Sequence, residues 1–265
     1  MTDSLILSET AGSIASITIN RAAKRNAVTN AMMQALIAEF DQLAANTSVR
    51  AVVLRAKGED FSVGADLDAL QTSLNESDDN LLQRRRNAEL GARLMRALCE
   101  LPQPTICALQ GVATGAGACI AIGCDFRVVA TDTTLGFGEV RMGMNLMWGA
   151  LPLVVELMGP ARAKRLLMSG ERIDAQHLEA WGLVDRMCDR DDVRDVAYKL
   201  AQQYAALPPV AVQMIKRSVN QYALAFAASA SHMDADQWLL TTQSSDFEEA
   251  IRSFKEKRAP RFAGD

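Results

Sequence analysis

Twice in this chain, about fifty residues apart, a strand-like apolar run breaks on a glycine and gives way to a helix-like run. In the first, Ala51-Val52-Val53-Leu54 leads to Phe61-Ser62-Val63-Gly64-Ala65-Asp66. In the second, Thr105-Ile106-Cys107-Ala108-Leu109 leads to Gly111-Val112-Ala113-Thr114-Gly115-Ala116-Gly117. A strand that turns sharply into a helix predicts a layered α/β fold. The same turn leaves the first N–H groups of the helix without carbonyls behind them to bond. Two such turns side by side would form a two-donor pocket for a developing oxyanion. Downstream, the segment LGFGEVRMG offers a carboxylate, Glu139, in a similar setting. Pocket and acid together point toward enolate chemistry.

Other chemistries find little to use. Only two histidines are present, His177 and His232, each among polar helical neighbours that predict surface exposure. A Ser-His-Asp triad or a multi-histidine metal centre is therefore not expected. Neither a GxxxxGK[ST] nor a GxGxxG stretch occurs, so a nucleotide-phosphate cradle is unsupported. The five cysteines are odd in number and contain no CxxC pair, which predicts reduced thiols rather than disulfides or zinc. Net charge is −4, giving no reason to expect nucleic acid as a partner. The 49% apolar content includes no run long enough for a membrane span, and the N-terminus does not read as a signal peptide. A cytoplasmic globular protein is the expectation.

Along the chain, SLILSE and SIASITI read as adjacent strands. A helix is predicted near residues 30–45, with Asn30 as its N-cap and Met33, Leu36, Ile37, Phe40 and Leu43 on one face. One long charged helix is expected from residue 80 to Pro102 and Pro104, its Arg84-Arg85-Arg86 run a solvated face. The loop at 71–82 and a methionine-rich stretch (Met142, Met144, Leu146, Met147, Trp148) are expected to set the shape of any pocket. Long helices with breaks at Pro208 and Pro209 fill the last third. The expected organisation is an α/β core over 1–200 and a helical lobe over 201–265.

Six segments taken together resemble the crotonase, or enoyl-CoA hydratase/isomerase, superfamily. They are NRAAKRNAV (20–28), DFSVGADL (60–67), GVATGAGACIAIGCDFRVVA (111–130), FGEVRMG (137–143), ERIDAQHLEAWGLVDR (171–186) and FKEKRAP (254–260). They run almost from end to end in the family's order. The resemblance implies a spiral of repeated ββα units with a C-terminal helical lobe that forms trimers, or trimers paired into hexamers. It implies acyl-CoA thioester substrates, coenzyme A entering as part of the substrate, with no other cofactor and no metal. The oxyanion donors map onto the backbone N–H groups of Ala65 and Ala116, and Ala116 replaces the family's usual glycine. The CoA-lining positions map onto Lys24, Arg25, Asn26 and Ala27, with Ala22 in place of a proline, and onto Ala65 and Asp66. Phe254 and Lys257 match an aromatic and basic pair that reaches the nucleotide of a neighbouring subunit.

One departure bears on the reaction. Hydratases of this family pair two glutamates around a water; here the later one is Glu139, but the earlier position holds Cys119. A thiol with an ordinary pKa near 8.5 is a poor substitute for a carboxylate base. Met147 stands where dienoyl isomerases and aryl-CoA dehalogenases carry an aspartate. A single glutamate suits a Δ3-to-Δ2 enoyl isomerase, in which one base removes a proton at C2 and returns it at C4. Proton transfer of that type is preferred over hydration. Other enolate reactions on acyl-CoA (hydrolysis, retro-aldol cleavage, decarboxylation, carbon–carbon bond formation) and a non-catalytic acyl-CoA-binding role are the alternatives.

Overall fold

A computed structural model describes residues 4–70 and 80–265. Most of the 71–82 loop lies outside the described residues. Among the described residues, nine strands form two sheets. The larger runs β1 (Ile6–Ala11), β2 (Ile14–Ile19), β3 (Ala51–Ala56), β4 (Thr105–Leu109), β6 (Phe126–Ala130) and β9 (Arg186–Cys188) side by side; β1 and β2 form an antiparallel hairpin and the other neighbours are parallel. The smaller sheet joins β5 (Val112–Thr114), β7 (Thr134–Gly136) and β8 (Arg172–Asp174), with β7 in the middle.

Alternation along the central strands builds two cores. Val52 and Leu54 of β3, with Cys107 and Leu109 of β4, face one core. Ala51, Val53, Ile106 and Ala108 face the other. This is the two-residue side-chain period of a sheet buried on both faces, which is why these strands read as unbroken apolar runs. The first core is closed by α1 (Asn30–Ala45), α3 (Leu90–Cys99), α4 (Ala116–Gly123) and α5 (Ala150–Ser169); the second is closed by α7 (Val193–Ala205), through Val193, Ala197, Leu200 and Ala201. A short α6 (Ala175–Ala180) follows β8.

Several boundaries differ from the sequence expectation. Helix α1 is capped by Thr29, whose hydroxyl accepts the Met32 N–H at 3.3 Å; Asn30 is already the first helical residue. The long charged helix is two helices, α2 (Leu81–Ala88) and α3, meeting at Glu89. Helix α2 buries nothing, whereas the apolar stripe of α3 starts at Leu90 and continues through Leu94, Met95 and Leu98. Within the arginine run, Arg85 is no free solvated charge: its Nε bonds Asp236 at 2.6 Å. Helix α5 continues through Gly159-Pro160 with a kink at Gly159 (φ 77°).

The C-terminal third is α7, α8 (Pro209–Ala223), α9 (Ala227–Ser231), α10 (Asp234–Thr241) and α11 (Ser245–Glu256), so the breaks outnumber the two prolines. Helices α9 to α11 fold back over the chain's own 139–149 segment: α9 packs on α5, α10 on α2, and α11 on the turn at Glu139–Met142. Helix α8 behaves differently. It buries no residue, and Val210, Met214, Ile215, Val219 and Tyr222 all face solvent in this single chain. Among the described residues no helix is long and apolar enough to cross a membrane.

Candidate active site

The two glycine turns meet. Beyond β3 the chain crosses beneath the second turn: Phe61 N–H bonds the Gln110 carbonyl at 2.9 Å, Ser62 N–H the Val112 carbonyl at 3.0 Å, and Thr114 N–H the Ser62 carbonyl at 3.0 Å. Gly64 then bends with φ +98° and Gly115 with φ +51°. Both lie in the left-handed region where only glycine is unstrained. A Cβ added at Gly64 would stand 3.1 Å from the Thr114 carbonyl oxygen, and one at Gly115 would stand 3.6 Å from the Gly64 Cα. Farther along α4, a Cβ on Gly117 would meet Ser62 Cβ at 2.6 Å. Small residues are therefore what let the two backbones touch.

Hydrogen bonding around the turns is selective. Gly64 N–H donates to Ser62 Oγ (3.2 Å), Asp66 N–H to the Val28 carbonyl (2.9 Å) and Gly115 N–H to the Gly136 carbonyl (3.1 Å). Beside these committed donors, the Ala65 N–H and the first amides of α4, those of Ala116, Gly117 and Ala118, have no acceptor among the described residues. Ala116 opens α4, whose N-terminus has no side-chain cap; the first amide answered by the helix is Cys119, bonding Gly115 at 2.9 Å. Buried polar groups are almost always satisfied within a fold, so free donors beside a tight turn are available to a ligand.

Glu139 stands over the second turn. It begins a one-turn 3-10 helix (Glu139–Met142) after the buried Phe137, and its Oε1 is 3.3 Å from where a Gly115 Cβ would sit. Its Oε2 is buried with no hydrogen-bond partner among the described residues. Burial pushes the Glu139 carboxyl up to about 7, against the opposing pull of a backbone N–H. At neutral pH such an acid divides between its two protonation states, which is the condition for moving protons both ways. Cys119 is 2% exposed on α4, and its thiol is held well above the usual range, first by burial and then by the nearby Glu139 and Asp234 carboxylates. A nucleophilic thiolate is thereby disfavoured.

The 20–28 segment docks against the first turn. Val28 N–H bonds the Gly64 carbonyl at 2.8 Å and Val63 N–H the Arg25 carbonyl at 3.1 Å. Lys24 and Arg25 are exposed, and Arg25 reaches Asp60 at 2.6 Å. Asn26 is fully buried with φ 56°, donating to the carbonyls of Lys57 and Asp60 and accepting the Arg21 N–H, so its side chain is consumed by the turn. Ala27 is buried, its carbonyl taken by Arg21. Asp66 pairs with Arg21 at 2.7 Å and caps the Ala69 N–H. Phe254 and Lys257 lie at the end of α11, Phe254 being 63% exposed and Lys257 left-handed at φ 53°. Neither hydrogen-bonds to a residue of the two turns. The two histidines are exposed, His177 beside its helix-capping Asp174.

The methionine-rich stretch was expected to shape a pocket, but sequence reasoning missed how Trp148 is held and which helix latches the segment. Trp148 (φ 68°) is a non-glycine residue in the left-handed region, and its indole lies where a Cβ on Gly91 would stand. Such backbone strain costs about 1–3 kcal/mol and is concentrated at functional sites. The neighbouring Gly149 N–H donates to Asp234 Oδ2 at 2.8 Å, and Asn145 Nδ2 to Gln237 Oε1 at 3.1 Å. No motif spacing announces contacts between positions 85 and 92 residues apart.

Comparison with known proteins agrees with this architecture. The family model described as Enoyl-CoA hydratase/isomerase matches residues 9–265. The 1,2-epoxyphenylacetyl-CoA isomerase of Escherichia coli K12 is 28% identical over 98% of both chains. The 2,3-dehydroadipyl-CoA hydratase of the same organism is 29% identical over 94% of each. A crystal structure of an enoyl-CoA hydratase from Mycobacterium avium subsp. paratuberculosis K-10 superposes with a TM-score of 0.87 at 25% identity, covering 98% of this chain and 99% of that one. The two-sheet architecture with its helical C-terminus, matched from end to end, makes this chain an enzyme of the enoyl-CoA hydratase/isomerase, or crotonase, family.

Proposed function

We propose that the enzyme binds an enoyl-CoA thioester and shifts its double bond through an enolate. The Ala65 and Ala116 N–H groups hold the thioester oxygen, and Glu139 takes the C2 proton and returns it at C4. The observation that carries this reading is the Glu139 carboxyl: buried, with one oxygen unpartnered among the described residues, against a turn whose Ala116 N–H is equally unpartnered among them. Proton abstraction places negative charge on the thioester oxygen, and two preset donors stabilise that charge more than the neutral ground state. The proton leaves carbon for Glu139 and goes back to carbon, so no water is consumed. Cys119, held as a neutral thiol, gives no second carboxylate to steer a water, which favours isomerisation over hydration. Relatives named as isomerase and as hydratase both occur at similar identity, so sequence distance does not separate the two.

Lys24, Arg25, Ala27 and Asp66 line the CoA side in this proposal, with Phe254 and Lys257 serving a neighbouring subunit's nucleotide. The exposed apolar face of α8 supports a trimer, or a hexamer of paired trimers. The deciding experiment incubates the enzyme separately with crotonyl-CoA and with a 3-enoyl-CoA and reads product mass together with the absorbance of the conjugated 2-enoyl thioester. Conversion of the 3-enoyl thioester without mass change, with little water added to crotonyl-CoA, is the expected result. Efficient hydration of crotonyl-CoA would overturn the isomerase assignment.

A further inference from the structure

We propose that the junction between the 145–149 wall and the start of α10 is a polar subsite for a hydrogen-bond donor on the acyl chain, a hydroxyl or phenolic group, with Asp234 and Asn145 as its acceptors. This rests on the acyl-CoA reading above and extends it to substrate class. Asp234 is 9% exposed, and only its Oδ2 is engaged, by the Gly149 N–H at 2.8 Å. Its Oδ1 has no hydrogen-bond partner among the described residues. The Asn145 Oδ1 is buried and also unpartnered. The two side chains belong together: Asp234 holds Gly149, and Gln237, one turn later on α10, holds Asn145. An ion pair from Asp236 to Arg85 fixes the same helix start against α2.

A hydrogen-bonded amide and a carboxylate latched to a backbone N–H would form a complete structural joint if nothing were left over. What remains is one buried acceptor, Asn145 Oδ1, one Asp234 oxygen that solvent or a ligand can reach, and no donor for either among the described residues. A buried acceptor without a donor is costly unless a ligand supplies the proton. The Asp234 and Glu139 carboxylates both raise the Cys119 thiol, which sets this junction near the candidate site. Burial raises the Asp234 carboxyl, while the Gly149 N–H and His232 oppose that rise. A donor group on the substrate would satisfy Oδ1 in either protonation state better than an apolar chain does. A chain ending in carboxylate would place like charge beside Asp234. The preferred class is thus hydroxylated acyl-CoA, over plain or dicarboxylic acyl-CoA.

The test is calorimetric binding of saturated, unreactive acyl-CoA thioesters to the full-length enzyme. Each plain chain is paired with its counterpart bearing a hydroxyl at carbon four, six or eight, and with one ending in carboxylate. At one hydroxyl position wild type should bind the hydroxylated thioester roughly tenfold tighter than the plain one, about 1.4 kcal/mol. D234A should bring that ratio to about one, and N145A should lower it. D234N, which keeps an acceptor oxygen, should retain part of it and weaken the rejection of the carboxylate chain. An equal ratio in wild type at every position overturns the subsite while leaving acyl-CoA binding intact. A ratio unchanged in D234A, or a uniform loss across all ligands, assigns Asp234 to a latch alone and overturns it too. Failure to bind any thioester removes the acyl-CoA reading itself. If D234A does not fold, N145A and D234N read the same ratio.

Discussion

At the scale of single residues, the proposed base Glu139 carries a cost to folding. Folding raises its carboxyl from the ordinary 4.5 to about 7 through burial. The folded protein therefore holds this proton more tightly than the unfolded chain, so the group's contribution to stability is complete below about pH 4.5 and is lost as pH climbs toward 7. Glu139→Gln keeps the shape without the charge. It should melt above wild type at neutral and alkaline pH, with the gap closing toward pH 4.5 in thermal scans. The same substitution should abolish exchange of the C2 hydrogen of a bound acyl-CoA in D₂O, a loss on the order of 10²–10⁴-fold, while thioester binding persists. Unchanged exchange would remove Glu139 as the base. In wild type kcat/KM should fall as pH drops below about 7, because the base form is then depleted. The sequence placed Glu139 in a recognisable motif; its burial comes from the segments that cover it, which no local pattern specifies.

At the scale of elements, the pocket depends on how closely α4 approaches the strand-like Phe61-Ser62 segment. Gly117→Ala would bring a Cβ to 2.6 Å from Ser62 Cβ and 2.8 Å from the Ser62 carbonyl oxygen. The helix must then shift, at a cost of about 1–3 kcal/mol. A lower melting temperature and a fall in kcat are expected, since the Ala116 N–H moves with the helix. Gly115→Ala adds a strained φ and a Cβ 3.3 Å from Glu139 Oε1, so activity should fall more than stability, as judged by comparing kcat with the melting temperature. The strand-to-helix rhythm was legible because both periods lie in local sequence: β-branched runs before each turn and small apolar residues after it. The split at Glu89 and the Thr29 cap were not. The charged α2 continues the helical composition of α3, and only the position of the apolar stripe against the core separates them. Thr29 and Asn30 are both good caps, and the choice went to the hydroxyl that reaches Met32.

For the molecule as a whole, α8 is the unresolved surface of the single chain. Val210, Met214, Ile215, Val219 and Tyr222 recur at helical spacing and stay between 57% and 90% exposed. The helix is nonetheless well anchored to its own chain, with Lys216 Nζ bonding Asp125 at 2.6 Å and Asn220 bonding the Cys99 carbonyl at 3.1 Å. Covering that face with further copies of the chain should give a trimer or hexamer by light scattering. Met214→Glu combined with Val219→Glu should reduce the mass to that of one chain, with secondary structure retained in circular dichroism. An unchanged assembly would mean that another surface joins the subunits. The amino-acid sequence by itself determined the family, the α/β rhythm, the two glycine turns and the position of the proposed acid, because each is written in local spacing and residue size. Only the tertiary structure decided that the Ala65 and Ala116 N–H groups find no acceptor among the described residues, how deeply Glu139 is buried, and that Asp234 meets Gly149 from 85 positions away. Hydrogen-bond satisfaction and desolvation depend on what packs against a group, and those neighbours are brought by the fold from distant parts of the chain.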